Sequence, residues 1–346
     1  MSNPFSQQLL NWFDQHGRKD LPWQRGITAY RVWVSEIMLQ QTQVTTVIPY
    51  YQRFMASFPT IETLASAPQD QVLHHWTGLG YYARARNLHK TAQIVVNEFK
   101  GTLPDSVEQL ETLPGIGRST AGAVRAIAFQ KPATILDGNV KRVLARYHAI
   151  DGWPGQKAVS NQLWTVAEQH TPSVRIADYT QAIMDLGATL CTRTRPRCQE
   201  CPLSNECQAF KTNNPTSYPG KKPHREQPIR KCLFLIIRNP AGEILLEQRP
   251  ASGLWGGLWV FPQCDKEAEI KDICNQLNCH VDSWQLLPQK RHTFSHFHLD
   301  YRPVLITAKQ QSYIMDSPSI VWYNPTSPLD VGTAQPVKQL LQQLTA

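Results

Sequence analysis

Leu113-Pro114-Gly115-Ile116-Gly117-Arg118-Ser119-Thr120 is the stretch on which the reading of the N-terminal half turns. Two glycines flank one apolar residue, and the helix-forming run Ala121–Phe129 follows. Glycine permits a tight turn and a close backbone approach, and the N–H groups and dipole of a helix start favour an anion such as a phosphate. A tight turn that binds nothing fits the same letters. Outward from it, apolar residues recur at helical spacing in 32–54, 61–76, 86–99, 119–129 and 139–149. Pro59, Pro104, Pro114 with Gly115, and Asp151-Gly152 punctuate these runs. Residues 1–210 therefore read as mainly helical.

Three further constellations carry chemistry. In Ile135-Leu136-Asp137-Gly138-Asn139-Val140-Lys141-Arg142, the aspartate stands just before a helical run. It suits an N-cap, and a capping carboxylate can also face a developing positive charge. Glu36 sits among Trp33, Val34, Ile37, Met38 and Leu39. Desolvated there, its pKa would rise and suit a general acid near neutral pH; turned outward, it would be a solvated or paired carboxylate. Cys191-x6-Cys198-x2-Cys201-x5-Cys207 gathers four of the eight cysteines in one loop. Four thiolates suit zinc or an iron–sulfur cluster equally well on chemistry alone. Cys232, Cys264, Cys274 and Cys279 read as ordinary thiols.

The net charge of +8 is uneven: residues 191–231 hold nine Lys and Arg against three Asp and Glu. Such a segment attracts polyanions, or is a solvated linker. Arg193, Arg195 and Arg197 fit either description. From 208 to 231 the helical pattern stops, and the prolines of 212–231 predict an extended linker. Beyond it, short apolar runs at 232–238, 243–249, 258–263, 297–307 and 320–324 predict strands, with helices near 265–277 and 335–344. No apolar run is long enough to span a membrane, and the first residues lack a basic start followed by an apolar run. A cytoplasmic, nucleoid-associated bacterial protein is expected, acting as a monomer.

Taken together, these motifs resemble the adenine DNA glycosylase (MutY) family of the helix-hairpin-helix, endonuclease III superfamily, over nearly the whole chain. The hairpin, the aspartate twenty residues after Gly117, and the cysteine spacing all match that superfamily. Trp33–Gln43 and Gly78–Leu88 resemble the adenine-specific branch. The resemblance implies that Glu36 protonates adenine at N7 and that Asp137 stabilises an oxocarbenium-like sugar, with Asn139 helping to position them. It also implies that Gln41 and Tyr81 insert beside the oxidised guanine, although Tyr81 alone also reads as a core aromatic. The four cysteines would hold one 4Fe–4S cluster. Gly115, Gly117, Ser119, Lys141 and Thr42 would contact DNA.

One departure bears on the reaction. The strand-cutting relatives carry lysine where this chain has Ser119, and serine cannot form a Schiff base. The family pattern therefore implies a monofunctional hydrolase acting on adenine opposite 8-oxoguanine or guanine in double-stranded DNA. Its rivals are a bifunctional lyase for oxidised pyrimidines and a non-catalytic lesion-binding protein. Gly253–Pro262 resembles the start of the Nudix fold, but the following stretch, Cys264–Asn278, lacks the acidic metal-binding pattern of a diphosphatase. The family reads the lesion through a loop matched by Phe294, Ser295 and His296, in a stretch whose histidines also admit a metal site. The expected layout is a helical glycosylase domain over 1–210, a basic linker over 211–231 and an α+β Nudix-like domain over 232–346. A six-helix barrel would span about 28–130, with a cluster module from about 1–27 and 131–210.

Overall fold

The structure is a computed structural model that describes residues 3–223, 226–310, 319–327 and 331–345. By packing, the chain forms two compact units. One comprises Met1–Ser66 and Asn87–His224, the other Ala67–Arg86 and Arg225–Ala346.

The helices begin with α1 (Pro4–His16), α2 (Ala29–Leu39), α3 (Val44–Ser57), α4 (Ile61–Ser66), α5 (Gln69–Trp76) and α6 (Ala83–Glu98). They continue with α7 (Val107–Glu111), α8 (Arg118–Ala128), α9 (Gly138–Tyr147), α10 (Lys157–His170), α11 (Ile176–Thr189) and α12 (Gln208–Lys211). Local chemistry sets their starts: Asn3, Thr28, Ser106 and Asp137 each cap a helix by accepting a backbone N–H. The apolar run 32–54 is not one helix. It breaks at Gln40–Gln43, where Gln41 takes the left-handed conformation (φ +57°) and the Thr42 N–H bonds the Leu39 carbonyl in a turn. The run 61–76 likewise breaks, at Ala67-Pro68, because proline cannot continue the hydrogen-bond ladder.

In the first unit α8 packs against α2 and α11, and α11 packs against α9 and α1. Trp33, Met38, Phe54, Leu64, Leu144 and Leu186 are buried. Gly122 of α8 allows one close approach: a Cβ there would stand 2.3 Å from the carbonyl oxygen of Thr134. The segment leading into Asp137 can therefore run directly against the helix that follows the hairpin.

The second unit is a mixed sheet. Its strands are β1 (Ile229–Arg238), β2 (Ile244–Gln248), β3 (Trp259–Val260), β4 (Gln263–Cys264), β5 (Cys279–Leu286), β6 (Lys290–Thr293), β7 (His298–Gln310) and β8 (Ile320–Tyr323). The order is β3-β2-β1-β7-β5, with β4 on β1, β6 on β7 and β8 on β2. β1 and β7 are parallel from Ile229↔His298 to Arg238↔Thr307. As a central strand, β1 is apolar and buried from Leu233 to Ile237, which is why 232–238 lacks an alternating pattern. α13 (Ile270–Gln276) covers one face through Ile270 and Cys274, packed with Leu233, Leu235, Val304 and Ile306. α14 (Gln335–Thr345) closes the chain. Among the described residues no helix is long and apolar enough to cross a membrane.

The segment Ala67–Arg86 is held by residues far along the chain. Trp259 donates its indole N–H to Asp70 (2.8 Å), Tyr82 its hydroxyl to the Thr333 carbonyl (3.0 Å), and Arg86 to the Gly256 carbonyl (2.8 Å).

Candidate active site

Glu36 lies on α2 in the wall of a cavity of about 230 Å³, far more than the ~10–15 Å³ that a single water requires. The wall is largely apolar: Phe13, Trp23, Ile27, Val32 and Ile127 contribute, with Gln24, Ser35, Gln181, Asp178 and Lys19 as its other polar members. Glu36 is half-buried and contributes to the lining of this cavity. Burial pushes the carboxyl up to about 8, and the negative charge of Asp137 adds to the rise. A carboxylic acid with its pKa near 8 in the wall of a cavity is equipped to donate a proton at neutral pH.

The segment 18–27, which supplies Lys19, Trp23, Gln24 and Ile27, is anchored on α11. Arg18 donates its backbone N–H (2.8 Å) and its Nε (2.9 Å) to the buried carboxylate of Asp185. Gln24 braces the same turn, donating to the Arg18 carbonyl (2.9 Å) and accepting from the Leu21 N–H (3.0 Å). Helical periodicity marks only which faces are buried, so it gave no hint that Trp23 and Gln181 line the same cavity. The one available signal was Pro22, which interrupts the pattern beside Trp23.

Asp137 caps α9: Oδ1 accepts the Val140 N–H (2.8 Å) and Oδ2 the Asn139 side-chain amide (3.4 Å). Burial raises its pKa, opposed by the N–H groups of Val140 and Asn139 and by the charges of Arg142 and Lys141. Cap and charge-bearing group are thus one side chain. Arg142 extends the arrangement, donating to Asn139 Oδ1 (2.8 Å) and to the carbonyls of Gly187 (2.7 Å) and Cys191 (2.7 Å). Ser119, on the first turn of α8, accepts the N–H of Leu136 (2.9 Å), which pins the residue before Asp137 to the hairpin helix.

In the hairpin Gly115 is left-handed (φ +80°), and a Cβ would lie 2.9 Å from Cβ of Asn87. Glycine is required there for conformation and for space. Gly117 caps α8 with extended backbone and open space around it. The turn bearing Gln41 and Thr42 is tied to this helix by Gln40, which donates to Thr120 Oγ1 (3.3 Å). Arg118 stacks on Trp164 (3.9 Å) and pairs with Glu168.

Cys191, Cys198, Cys201 and Cys207 line one cavity with Arg146. Burial raises the Cys198, Cys201 and Cys207 thiols, Cys201 to about 12, and the nearby cysteines add to each rise. Arg146 is buried and donates to the Cys191 sulfur (3.3 Å) and to the carbonyls of Thr192 (2.7 Å), Arg193 (3.0 Å) and Tyr218 (3.0 Å). Among the described residues no three His, Cys, Asp or Glu side chains converge on a single-ion site. Arg193, Arg195 and Arg197 are exposed on the same loop.

In the second unit, Phe294, Ser295 and His296 form the tip of the β6–β7 hairpin, closed by the Phe294 N–H on the Phe297 carbonyl (2.9 Å). Phe294 stacks on Phe297 (4.5 Å) and packs against Trp255 (5.6 Å), while Arg230 covers the Phe297 ring (4.6 Å). Ser295 and His296 are left exposed. Tyr81 is 48% exposed, with φ +50°.

Residues 34–169 match the HhH-GPD superfamily base excision DNA repair protein family, and residues 233–343 match the NUDIX domain family. The chain is 39% identical to the adenine DNA glycosylase of Buchnera aphidicola subsp. Baizongia pistaciae, over 98% of this chain and 96% of the relative. It is 37% identical to the Homo sapiens adenine DNA glycosylase, over 91% of this chain and 69% of the relative. Among solved structures, a thermostable thymine-DNA glycosylase superposes with a TM-score of 0.55 at 28% identity, over 60% of this chain and 95% of the other. An endonuclease III–DNA complex shares the same fold, with a TM-score of 0.52 at 21% identity, over 60% of this chain and 94% of the other.

Proposed function

Since this chain belongs to the adenine DNA glycosylase family, with its helix-hairpin-helix and Nudix-like domains, we propose that it hydrolyses the N-glycosidic bond of adenine paired with 8-oxoguanine, and more weakly with guanine, leaving the strand uncut. One observation carries the reading: a carboxyl with its pKa near 8 faces a cavity and feels the charge of a second carboxylate, Asp137. The adenine leaves the base stack and enters the cavity, where Trp23 offers an aromatic face and Gln181 hydrogen-bonding capacity. Glu36 delivers its proton to N7, and the C–N bond breaks as its electron pair goes to the base. Asp137, whose two N–H donors oppose the rise that burial imposes, stabilises as a carboxylate the positive charge that develops on the sugar. Water completes the hydrolysis, and Ser119 supplies no amine to open the abasic site.

The anion-seeking surfaces are the hairpin at Gly115 and Gly117, Lys141, the Gln41–Thr42 turn and the exposed arginines of the cysteine loop. The four cysteines fit one 4Fe–4S cluster. They ring a cavity rather than a point, and the buried guanidinium of Arg146 offsets the negative charge that four thiolates would bring. Bound there, the cluster would cross-link the loop through the four thiolates.

The test is a strand-nicking assay with and without alkali on duplexes carrying A:8-oxoguanine, A:G, A:T and thymine glycol. Alkali-dependent nicking of the first two, fastest with 8-oxoguanine, is expected. Alkali-independent cutting at thymine glycol would instead establish the lyase reading, and no product from any duplex would leave a lesion-binding protein.

A further inference from the structure

The loop that presents Tyr81 belongs, by its contacts, to the C-terminal unit rather than to the helical unit that surrounds it in sequence. The Tyr82 hydroxyl accepts the Gly78 N–H (3.4 Å) and donates to the Thr333 carbonyl (3.0 Å). A single oxygen therefore joins the start of the Tyr81 loop to the segment before α14. Thr333 bridges in turn to Trp259, whose N–H bonds the Gly332 carbonyl (2.8 Å) and whose indole bonds Asp70 on α5 (2.8 Å). Helix, loop and Nudix-like sheet thus form a closed circuit of hydrogen bonds.

Inside the circuit the loop is held in a costly shape. Gly78, Gly80 and Tyr81 are all left-handed, at φ +105°, +72° and +50°. Tyrosine enters that region only when its surroundings over-determine it. Those surroundings include Arg84, which donates to the Leu79 (3.3 Å) and Gly80 (3.2 Å) carbonyls and faces the Tyr81 ring (5.5 Å). The Trp76 indole donates to the Gly80 carbonyl (3.1 Å). Leu79 and Tyr82 are buried on either side, so Tyr81 is the aromatic ring this loop turns outward.

We propose that Tyr82, Asp70 and Trp259 are positioning residues for Tyr81, so that the C-terminal unit sets discrimination between 8-oxoguanine and guanine through a loop borrowed from the N-terminal sequence as well as through Phe294-Ser295-His296. The proposal rests on the reading of Tyr81 as a residue inserted beside the lesion, and the test separates the two. Single-turnover excision is measured on A:8-oxoguanine and A:G duplexes for the full chain, Tyr82→Phe, Tyr81→Ala and the double variant. Tyr82→Phe removes only the bridging hydroxyl. It lowers the 8-oxoguanine-to-guanine rate ratio by about two- to tenfold, the effect of one hydrogen bond. In the Tyr81→Ala background the same change moves the ratio less than twofold, because the residue it positions is gone. Trp259→Phe, which keeps a ring but removes the indole donor, reproduces the pattern. An unchanged ratio in Tyr82→Phe and Trp259→Phe, or an equal loss in both backgrounds, overturns the proposal while leaving the Tyr81 reading intact. An unchanged ratio in Tyr81→Ala overturns the reading itself, and the proposal with it.

Discussion

Replacing Glu36 by glutamine separates catalysis from stability with opposite signs. In the native protein the carboxyl titrates near 8, against an ordinary value of 4.5. Between those values the folded state holds a proton that the unfolded chain has released, so wild-type stability falls as pH rises through the window. At about 1.4 kcal/mol per pH unit, the displacement amounts to at most about 5 kcal/mol above pH 8. Glutamine has the same shape, stays neutral and escapes this loss. Urea unfolding at pH 5, 6.5 and 8 should therefore show Glu36→Gln gaining on wild type by a few kcal/mol as pH rises. Excision should meanwhile fall by about 100-fold or more, the usual scale for a general acid, with binding to A:8-oxoguanine duplex nearly intact. Parallel stability curves would show that the carboxyl is not desolvated. Near-normal single-turnover excision would remove Glu36 from the mechanism.

Further outcomes follow from the same geometry. The single-turnover pH profile should be bell-shaped, losing rate above about pH 8 as Glu36 deprotonates and, on the acid side, above the ordinary carboxylate range because burial raises Asp137. Purified protein should be yellow-brown with four irons per chain, and Cys198→Ser should lose the colour or fail to fold; zinc without iron would contradict the cluster. Truncation after Lys231 should keep adenine excision but reduce the preference for 8-oxoguanine over guanine, and an unchanged ratio would place lesion reading wholly in the first domain. Ser119→Lys should form a borohydride-trapped adduct and cut without alkali, also in a Lys141→Ala background. It should cost about 1 kcal/mol of stability, because the Leu136 N–H loses its acceptor. Trapping no greater than wild type would show that residue 119 does not face the sugar.

The sequence was most informative where chemistry is local. The turn at Gly115 demands a left-handed residue, Asp137 stands where a cap must stand, and four cysteines within one loop cannot avoid one another. Each of those readings needed only neighbouring letters. What stayed hidden depends on segments distant in the chain. Trp23 and Gln181 line one cavity, and the segment bearing Trp23 is anchored on α11 where Arg18 reaches Asp185 at a separation of 167 residues, a pairing no periodicity encodes. The association of α5 with the C-terminal unit depends on Asp70 finding Trp259, 189 residues on. The resemblance gave Phe294, Ser295 and His296 one shared role, whereas the stacking of Phe294 on Phe297 and its packing with Trp255 leave Ser295 and His296 as the exposed members of the tip.

The central claim is that burial against the cavity keeps the Glu36 carboxyl protonated at neutral pH. Carbon-13 NMR of protein labelled at glutamate Cδ, titrated from pH 4 to 9 and compared with Glu36→Gln, tests it directly. The account predicts one resonance, absent from the variant, that titrates near pH 8. A Glu36 resonance titrating near its ordinary value of 4.5 would contradict it.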